Sequence, residues 1–372
     1  LGHGDKMTLR RTEILNWLRE TDPARLESLW QEADRVRKNH VGDEVHLRGL
    51  IEISSFCRRS CLYCGIRRQR NLERYRMSEH EILACAHRAV RLGYGTVVLQ
   101  SGEDSELTCD SVARTVRRIK VETPLAVTLS LGERGLGELA AWREAGADRY
   151  LLKHETSDAE LFRRIHPVRD MTETSDIPGS PNQRIELLRQ ARALGYEIGS
   201  GVMVGIPGQT FESLADDIML FRDLDLDMIG CGPFVPHPDT PLGRGAGADP
   251  VRRGGTEPLT ESLQVPPTDL MTTKVVALTR LVCPDANIPS TTALATVNRE
   301  HGRELGLQRG ANVWMPNLTP PRYRVRYDIY PGKAAVNDDV ERYHESLLSV
   351  IAALGRRPGK GPGSRLHLPD AV

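Results

Sequence analysis

The chain of 372 residues has no excess of charge of one sign: fifty Lys and Arg balance fifty Asp and Glu. Nucleic acid and anionic membrane surfaces select a basic field, so neither is expected as a partner. No apolar run approaches the roughly 18 to 20 residues of a membrane span, and no charged-then-apolar leader opens the chain. A cytoplasmic protein with no membrane contact is the expectation. The stretch LGHGDK before Met7 reads as an appended remnant and is set aside. With 39% hydrophobic and 27% charged residues the composition is ordinary for a folded protein, long enough for one large barrel or two medium domains.

A fourth cysteine is missing where one is wanted. The stretch CRRSCLYCG holds Cys57, Cys61 and Cys64 as C-x3-C-x2-C, with no nearby Cys or His pair to complete a tetrahedral zinc site. The other four of the seven cysteines, Cys85, Cys109, Cys231 and Cys283, are scattered. An odd, dispersed set argues against a disulfide framework, and the scattered four read as small buried apolar residues. Cubane iron–sulfur clusters normally take four thiolates, so three on one short loop leave one iron open to another ligand.

What is present is a repeated alternation of strand and helix. Short β-rich runs fall at residues 46–54, 96–101, 125–130, 149–153, 198–206, 228–232, 287–292 and 311–315. Helical patterns lie between most of them. One opens on a capping box, Ser78 with Glu81, and stops at Gly93; another stops at Gly195. Eight such units over about 270 residues predict an α/β fold, a (β/α)8 TIM-type barrel whose usual core is about 250 residues. An open barrel of six units with an accessory domain is the alternative. Helical spacing of Ile14, Leu15, Leu18, Leu26, Leu29 and Trp30 predicts an N-terminal pair of helices. The expected division is residues 1–40 as a helical extension, 41–335 as the barrel, and 336–372 as a C-terminal helix with a loosely held tail. Gly, Pro and polar residues mark 166–182 and 243–269 as surface loops.

Barrel enzymes carry their chemistry at the carboxyl ends of the strands. Those ends here are polar: the cysteine triplet follows the first, Gln100, Ser101, Gly102 and Glu103 the second, and Thr128 and Ser130 the third. Lys153, His154 and Glu155 follow the fourth, VGIPGQT the fifth, Thr291 and Thr292 the seventh, and Met315 with Asn317 the eighth. Any one of these reads equally well as a turn or cap residue; seven strand ends together point to a site.

At Cys57, Cys61, Tyr63 and Cys64 the sequence resembles the radical S-adenosylmethionine (SAM) superfamily, whose signature is C-x3-C-x-aromatic-C after strand one of a β/α barrel. The resemblance implies a 4Fe-4S cluster on the three cysteines, with SAM on the open iron and reductive cleavage of SAM to a 5′-deoxyadenosyl radical. It implies cofactor contacts from Tyr63, Gln100, Ser101, Ser130, Glu155, Arg184 and Met228, with Glu155 and Arg184 fixing the ribose and the carboxylate. The segments VGDEVHLRGLIEIS, CLYCGIRR, VVLQSGED, VTLSLGE, GPFVPHPDTPL, NIPSTTA, GANVWMPN and YPGK together resemble the HydE family of FeFe-hydrogenase maturases. That likeness covers roughly residues 40 to 335 and all eight strands.

The HydE resemblance implies assembly of the di-iron subcluster of the hydrogenase H-cluster. The implied substrate is a cysteine-bound Fe(CO)2(CN) synthon delivered by HydG, with the product passing towards HydF and an electron donor supplying the cluster. Substrate donors in matching positions are Arg48, Gln100, Thr128, Arg149, Lys153, Thr291, Thr292, Met315, Tyr327 and Tyr330; a structural ion pair is the other reading of Arg48 and Arg149. Two departures stand out. No cysteine follows YPGK, so no second cluster is expected, and Lys153 stands where the family suggests Arg, a point charge in place of a bidentate fork. Two other functions fit the motif: a biotin synthase-like or methylornithine synthase-like enzyme acting on an organic amino acid, and a non-catalytic iron–sulfur carrier or sensor.

Overall fold

The computed structural model describes residues 9–167, 180–245, 263–334 and 339–365. LGHGDK and most of the two predicted surface loops fall outside these residues.

Two helices come first, α1 (Arg11–Arg19) and α2 (Pro23–Val41). The barrel strands are β1 (Glu44–Ser54), β2 (Thr96–Ser101), β3 (Ala126–Ser130), β4 (Arg149–Leu151) and β5 (Glu197–Ser200). The fifth and sixth units continue past a break as β6 (Met203–Val204), β7 (Met228–Ile229) and β8 (Gly232–Pro233). The eighth unit is β9 (Val313–Trp314), and β10 (Arg357–Pro358) comes from the tail. Between the strands run α3 (Glu79–Arg91), α4 (Cys109–Glu122), α5 (Leu136–Glu144), α6 (Ala159–Ile165), α7 (Pro181–Ala193) and α8 (Phe211–Asp223). Then follow α9 (Asp269–Val282), α10 (Thr292–Val297), α11 (Gly302–Gln308), α12 (Pro321–Arg324) and α13 (Val340–Ala353).

Every barrel pairing is parallel, and the register shows that the ring closes. From Leu50 the partners run Val98, Thr128, Arg149, Glu197. Two residues on, Gly199 pairs with Met228, which bridges Asn287; two further on, Pro289 bridges Val313, which pairs with His46. The walk has climbed four residues yet returns four below its start, a stagger of eight, the shear of a TIM-type barrel. The predicted seventh strand is therefore present only as bridges at Asn287 and Pro289, because Pro289 has no amide for a ladder.

Alternation along β1 separates two interiors. Val45, Leu47, Ile51 and Ile53 join the apolar core beneath the helices, whereas Leu50 stands outside that cluster and Arg48 reaches across the lumen. His46, Arg48, Leu50 and Glu52 therefore face inwards. The helix α9 is buried from Met271 to Val282 because α1 and α2 cover the side a barrel helix normally gives to water. Lys274 donates to the Leu18 carbonyl at 3.1 Å, and Arg11 and Arg19 pair with Asp216 and Glu212 on α8.

The tail corrects the sequence reading. Residues 356–365 close the amino end of the barrel: β10 pairs with Glu44 and Val45, and the following carbonyls accept bonds from inside the ring. Thr96 and Arg149 donate to Pro362 O at 2.9 and 3.0 Å, and Arg48 and Asn287 both donate to Gly363 O at 3.1 Å. Arg365 locks the segment with a two-bond pair to Asp285, each 3.0 Å. A run rich in Gly and Pro looks loose because flexibility is what it offers; here Gly361 and Gly363 use it at φ 68° and 57°.

Candidate active site

The cysteine loop leaves β1 at Ser54 and is held by backbone bonds from three directions. Arg58 N donates to Glu103 O, Leu62 N to Ile165 O and Gly65 N to Ile329 O, at 3.0, 2.9 and 2.9 Å. The Arg74 guanidinium gathers the carbonyls of Ser55, Ile66 and Arg67. Two glycines let the neighbours close in. A Cβ on Gly102 would lie 2.6 Å from Cys57 Cβ, and one on Gly65 would lie 1.9 Å from Asp328 O.

The three thiols form one electrostatic unit. Burial raises Cys57 above its ordinary value and pushes Cys61 up to about 12, with Cys57 adding to the shift. Burial likewise raises Cys64, followed by the influence of Cys61 and Cys57. Among the described residues no three Cys, His, Asp or Glu side chains converge on one point as ligands of a single ion must. Three thiols on one short, tightly held loop suit a cubane, in which each thiolate takes its own iron. These residues fit the cluster that the motif implies.

Around the loop stands a charged ring. Arg59 pairs with Glu103 at 2.6 Å and with Glu133 at 3.0 Å, and Arg184 on α7 pairs with Glu133 at 2.8 Å. Arg184 also donates to Lys153 O at 2.8 Å, and the Lys153 ammonium lies 2.9 Å from Glu155. Arg184 and Glu155 thus share a neighbourhood, but each takes a different counter-ion. Glu155 holds φ at 64°, a left-handed conformation costing a non-Gly residue about 1 to 2 kcal/mol. Bonds from Glu155 N to Gly201 O and from Met203 N to Glu155 O keep it there, and such strain clusters at functional positions.

Tyr63 of the motif donates to or accepts from His166 Nε2 at 3.0 Å, and His166 Nδ1 lies 3.0 Å from Phe162 O. A backbone carbonyl is only an acceptor, so Nδ1 carries the proton and Nε2 accepts from the phenol. Burial holds His166 well below its ordinary value, in keeping with a neutral ring. Gln100 stands between Glu52 and Ser130 in the ladder and donates to Tyr327 Oη at 3.3 Å. Ser101 turns its hydroxyl onto Gly102 O at 2.6 Å. In VGIPGQT, Gln209 accepts from Gly205 N at 2.7 Å, and Thr210 caps α8.

Of the predicted substrate donors, Thr128 keeps a buried hydroxyl with no hydrogen-bond partner among the described residues. Thr291 caps α10, Thr292 accepts from Arg303 at 3.0 Å, and Met315 is half-buried just past β9. Burial raises the phenols of Tyr327 and Tyr330, and the Glu52 carboxylate adds to the shift in Tyr327. Three calls require correction. Arg149 is at the amino end of β4, where it pairs with Glu197 at 2.7 Å and grips the tail, which is the structural ion pair. Arg48 lies on the same floor, bonded to Gly363 O, and the sulfur of Met228 touches Arg48 there, far from the carboxyl rim.

Sequence reasoning missed Glu52, Lys333, Arg59, Glu133 and His166. The only signal for Glu52 was its inward register on a strand that ends at the cysteines.

The match to known proteins agrees with this geometry. Residues 51–221 match the model of the radical SAM superfamily. The chain is 44% identical, over 93% of its length and 91% of the relative's, to the FeFe-hydrogenase maturase subunit HydE of Thermotoga maritima. It is 27% identical, over 88% of its length and 83% of the relative's, to a 3-methylornithine synthase of Methanosarcina acetivorans. The crystal structure of methylornithine synthase (PylB) shares the fold with a TM-score of 0.75 at 23% identity, covering 95% of each chain. A near full-length likeness at 44% identity, with the cysteine loop seated on the barrel rim, means that the chain belongs to the HydE family of radical SAM enzymes, which use a 4Fe-4S cluster and SAM.

Proposed function

We propose that this enzyme acts in assembly of the FeFe-hydrogenase di-iron subcluster, on a cysteine-bound Fe(CO)2(CN) complex held in the barrel lumen. The observation that carries the reading is the 44% identity to HydE over 93% of the chain. Cys57, Cys61 and Cys64 hold the cluster, which when bound supplies the electron that cleaves SAM.

The remaining work belongs to the chain's own side chains. Gln100 and Ser101 lie where the methionine amine of SAM is received. Arg184 has Nε and Nη1 engaged by Glu133 and Lys153 O, which leaves Nη2 to take a carboxylate. Glu155, pinned in its strained conformation, offers a carboxylate to the ribose hydroxyls. The tail seals the floor, so the lumen is entered from the cysteine end, where Tyr327 is buried and Tyr330 half-buried. Such enclosure keeps water from a reactive intermediate. HydG as source, HydF as recipient, a separate electron donor and a cytoplasmic location complete the proposal; among the described residues no helix is long and apolar enough to cross a membrane.

Anaerobic, reduced protein given SAM and the HydG product is expected to consume SAM and shift the infrared bands of the carbonyl and cyanide ligands. Unchanged bands alongside turnover of a free amino acid such as lysine would end this reading in favour of the mutase alternative.

A further inference from the structure

The lumen carries one carboxylate that the motif does not account for. Glu52 is 1% exposed, faces inwards from β1, and spends one oxygen on Lys333 Nζ at 2.7 Å. The other oxygen, Oε2, is buried with no hydrogen-bond partner among the described residues. Lys333 is held on the far side by Tyr327 O at 3.0 Å and lies 5.2 Å from the Tyr327 ring centre. The backbone of Glu52 is fixed as well, its N–H donating to Thr319 and its carbonyl accepting from Tyr75, and the bond from Lys333 holds the carboxylate on the lumen side. A buried acceptor left unpaired costs about 1 to 3 kcal/mol, and more when charged.

We infer that Glu52 Oε2 is the docking point for the α-ammonium group of an amino-acid ligand. Three features favour a cationic donor. The vacant acceptor belongs to a carboxylate, to which a charged donor bonds more strongly than a neutral one; the oxygen is buried, where such a bond is least weakened by water; and Glu52 pairs with Gln100 two residues before β1 ends at Ser54, so the ammonium would sit just below the cysteine loop. Lower in the lumen the sign reverses: Arg149 pairs with Glu197, Arg48 lies on the same floor, and among the described residues Arg48 Nε and Thr128 Oγ1 are also buried without partners. An interior with unpaired polar atoms at three heights is built around a polar ligand, since a packed core would satisfy or omit them.

The inference rests on the proposed function only in its amino-acid part, which the mutase alternative shares. The test uses anaerobic holoenzyme with SAM present, so that no thiol reaches the open iron, and titrates L-cysteine against 3-mercaptopropionate, which lacks only the ammonium. Wild type is expected to prefer L-cysteine by roughly tenfold or more, the range of a charged hydrogen bond. Glu52→Gln keeps an oxygen for Lys333 and is expected to fold as wild type, with the preference reduced to within about twofold. A parallel pair, L-lysine against 6-aminohexanoate, separates the two levels of the argument. Glu52-dependent preference for lysine with no cysteine binding would uphold the ammonium site and end the maturase reading. A preference that survives Glu52→Gln, or its absence from wild type for both pairs, overturns the inference and makes Oε2 a water site.

Discussion

Replacing Gly95 by Ala puts a methyl group where the tail passes. The added Cβ would lie 1.6 Å from Gly361 O, and both that oxygen and the start of β2 are backbone, so neither yields as a flexible side chain would. The tail has less to hold it and must move. Five bonds from the barrel floor end on residues 362 to 364: from Arg48, Thr96, Asn287 and twice from Arg149. A neutral bond contributes about 1 kcal/mol net and one from a charged group about 1.5 to 3, but water entering the vacated floor restores part of this. The expected loss is therefore about 2 to 4 kcal/mol, a fall in melting temperature of roughly 4 to 16 °C at about 2 to 4 °C per kcal/mol. Trypsin sites after Arg356 and Lys360 then become accessible, and their cleavage, followed by mass spectrometry, is the direct assay. Amides of β2 and β3 should stay protected from exchange, which separates a dislodged tail from an unfolded barrel. A Gly95→Ala protein that melts with wild type and resists trypsin at Lys360 would refute the claim that the tail closes the floor.

Replacing Cys57, Cys61 or Cys64 by Ser is expected to abolish iron binding and 5′-deoxyadenosine formation while leaving the circular dichroism unchanged; Cys85→Ala should retain both, with iron near four per chain, the content of a single cubane. His166→Phe leaves the buried Tyr63 phenol without its acceptor, so KM for SAM should rise by roughly tenfold with kcat within about threefold, and His166→Gln should recover most of the loss. Burial lowers His46 to about 4 from 6.5, so between these values the unfolded chain binds a proton that the folded floor does not. Stability is present above pH 6.5 and is lost as pH falls towards 4; urea midpoints measured across that window should flatten in His46→Asn.

The barrel was legible because each unit announces itself locally. Ser78 and Glu81 do form their capping box, with Ser78 N donating to Glu81 Oε2 at 2.8 Å, and the β-rich runs at 96–101 and 125–130 are strands almost residue for residue. The seventh strand was less faithful to its pattern: NIPSTT has the apolar and β-branched character of a strand, but Pro289 breaks the ladder and Thr291 is already the cap of α10. The tail was misread for a related reason. Its composition is that of a linker, and only the concave floor it fills, lined by Thr96, Arg149 and Asn287 from three strands, turns those glycines into contacts.

The candidate site divides along the same line. The cysteines and the residues at the strand ends carry their meaning in spacing, which a sequence displays. The missed residues act by pairing across the ring, and Glu52 and Lys333 are 281 residues apart. Arg149 shows the opposite error: an arginine on an inward strand position reads as a ligand for an anion, yet the register puts Glu197 directly beside it. Two inward positions on one strand, Arg48 and Glu52, thus look alike in sequence and differ in height by a full turn of the pleat and more. The lower one bonds the tail and the upper one pairs with Lys333. Height along the barrel axis depends on the stagger of eight, a property of the closed ring that no single strand contains. That is why chemistry in this family can be found from a motif, while the part of the lumen that recognises its ligand has to be found from the fold.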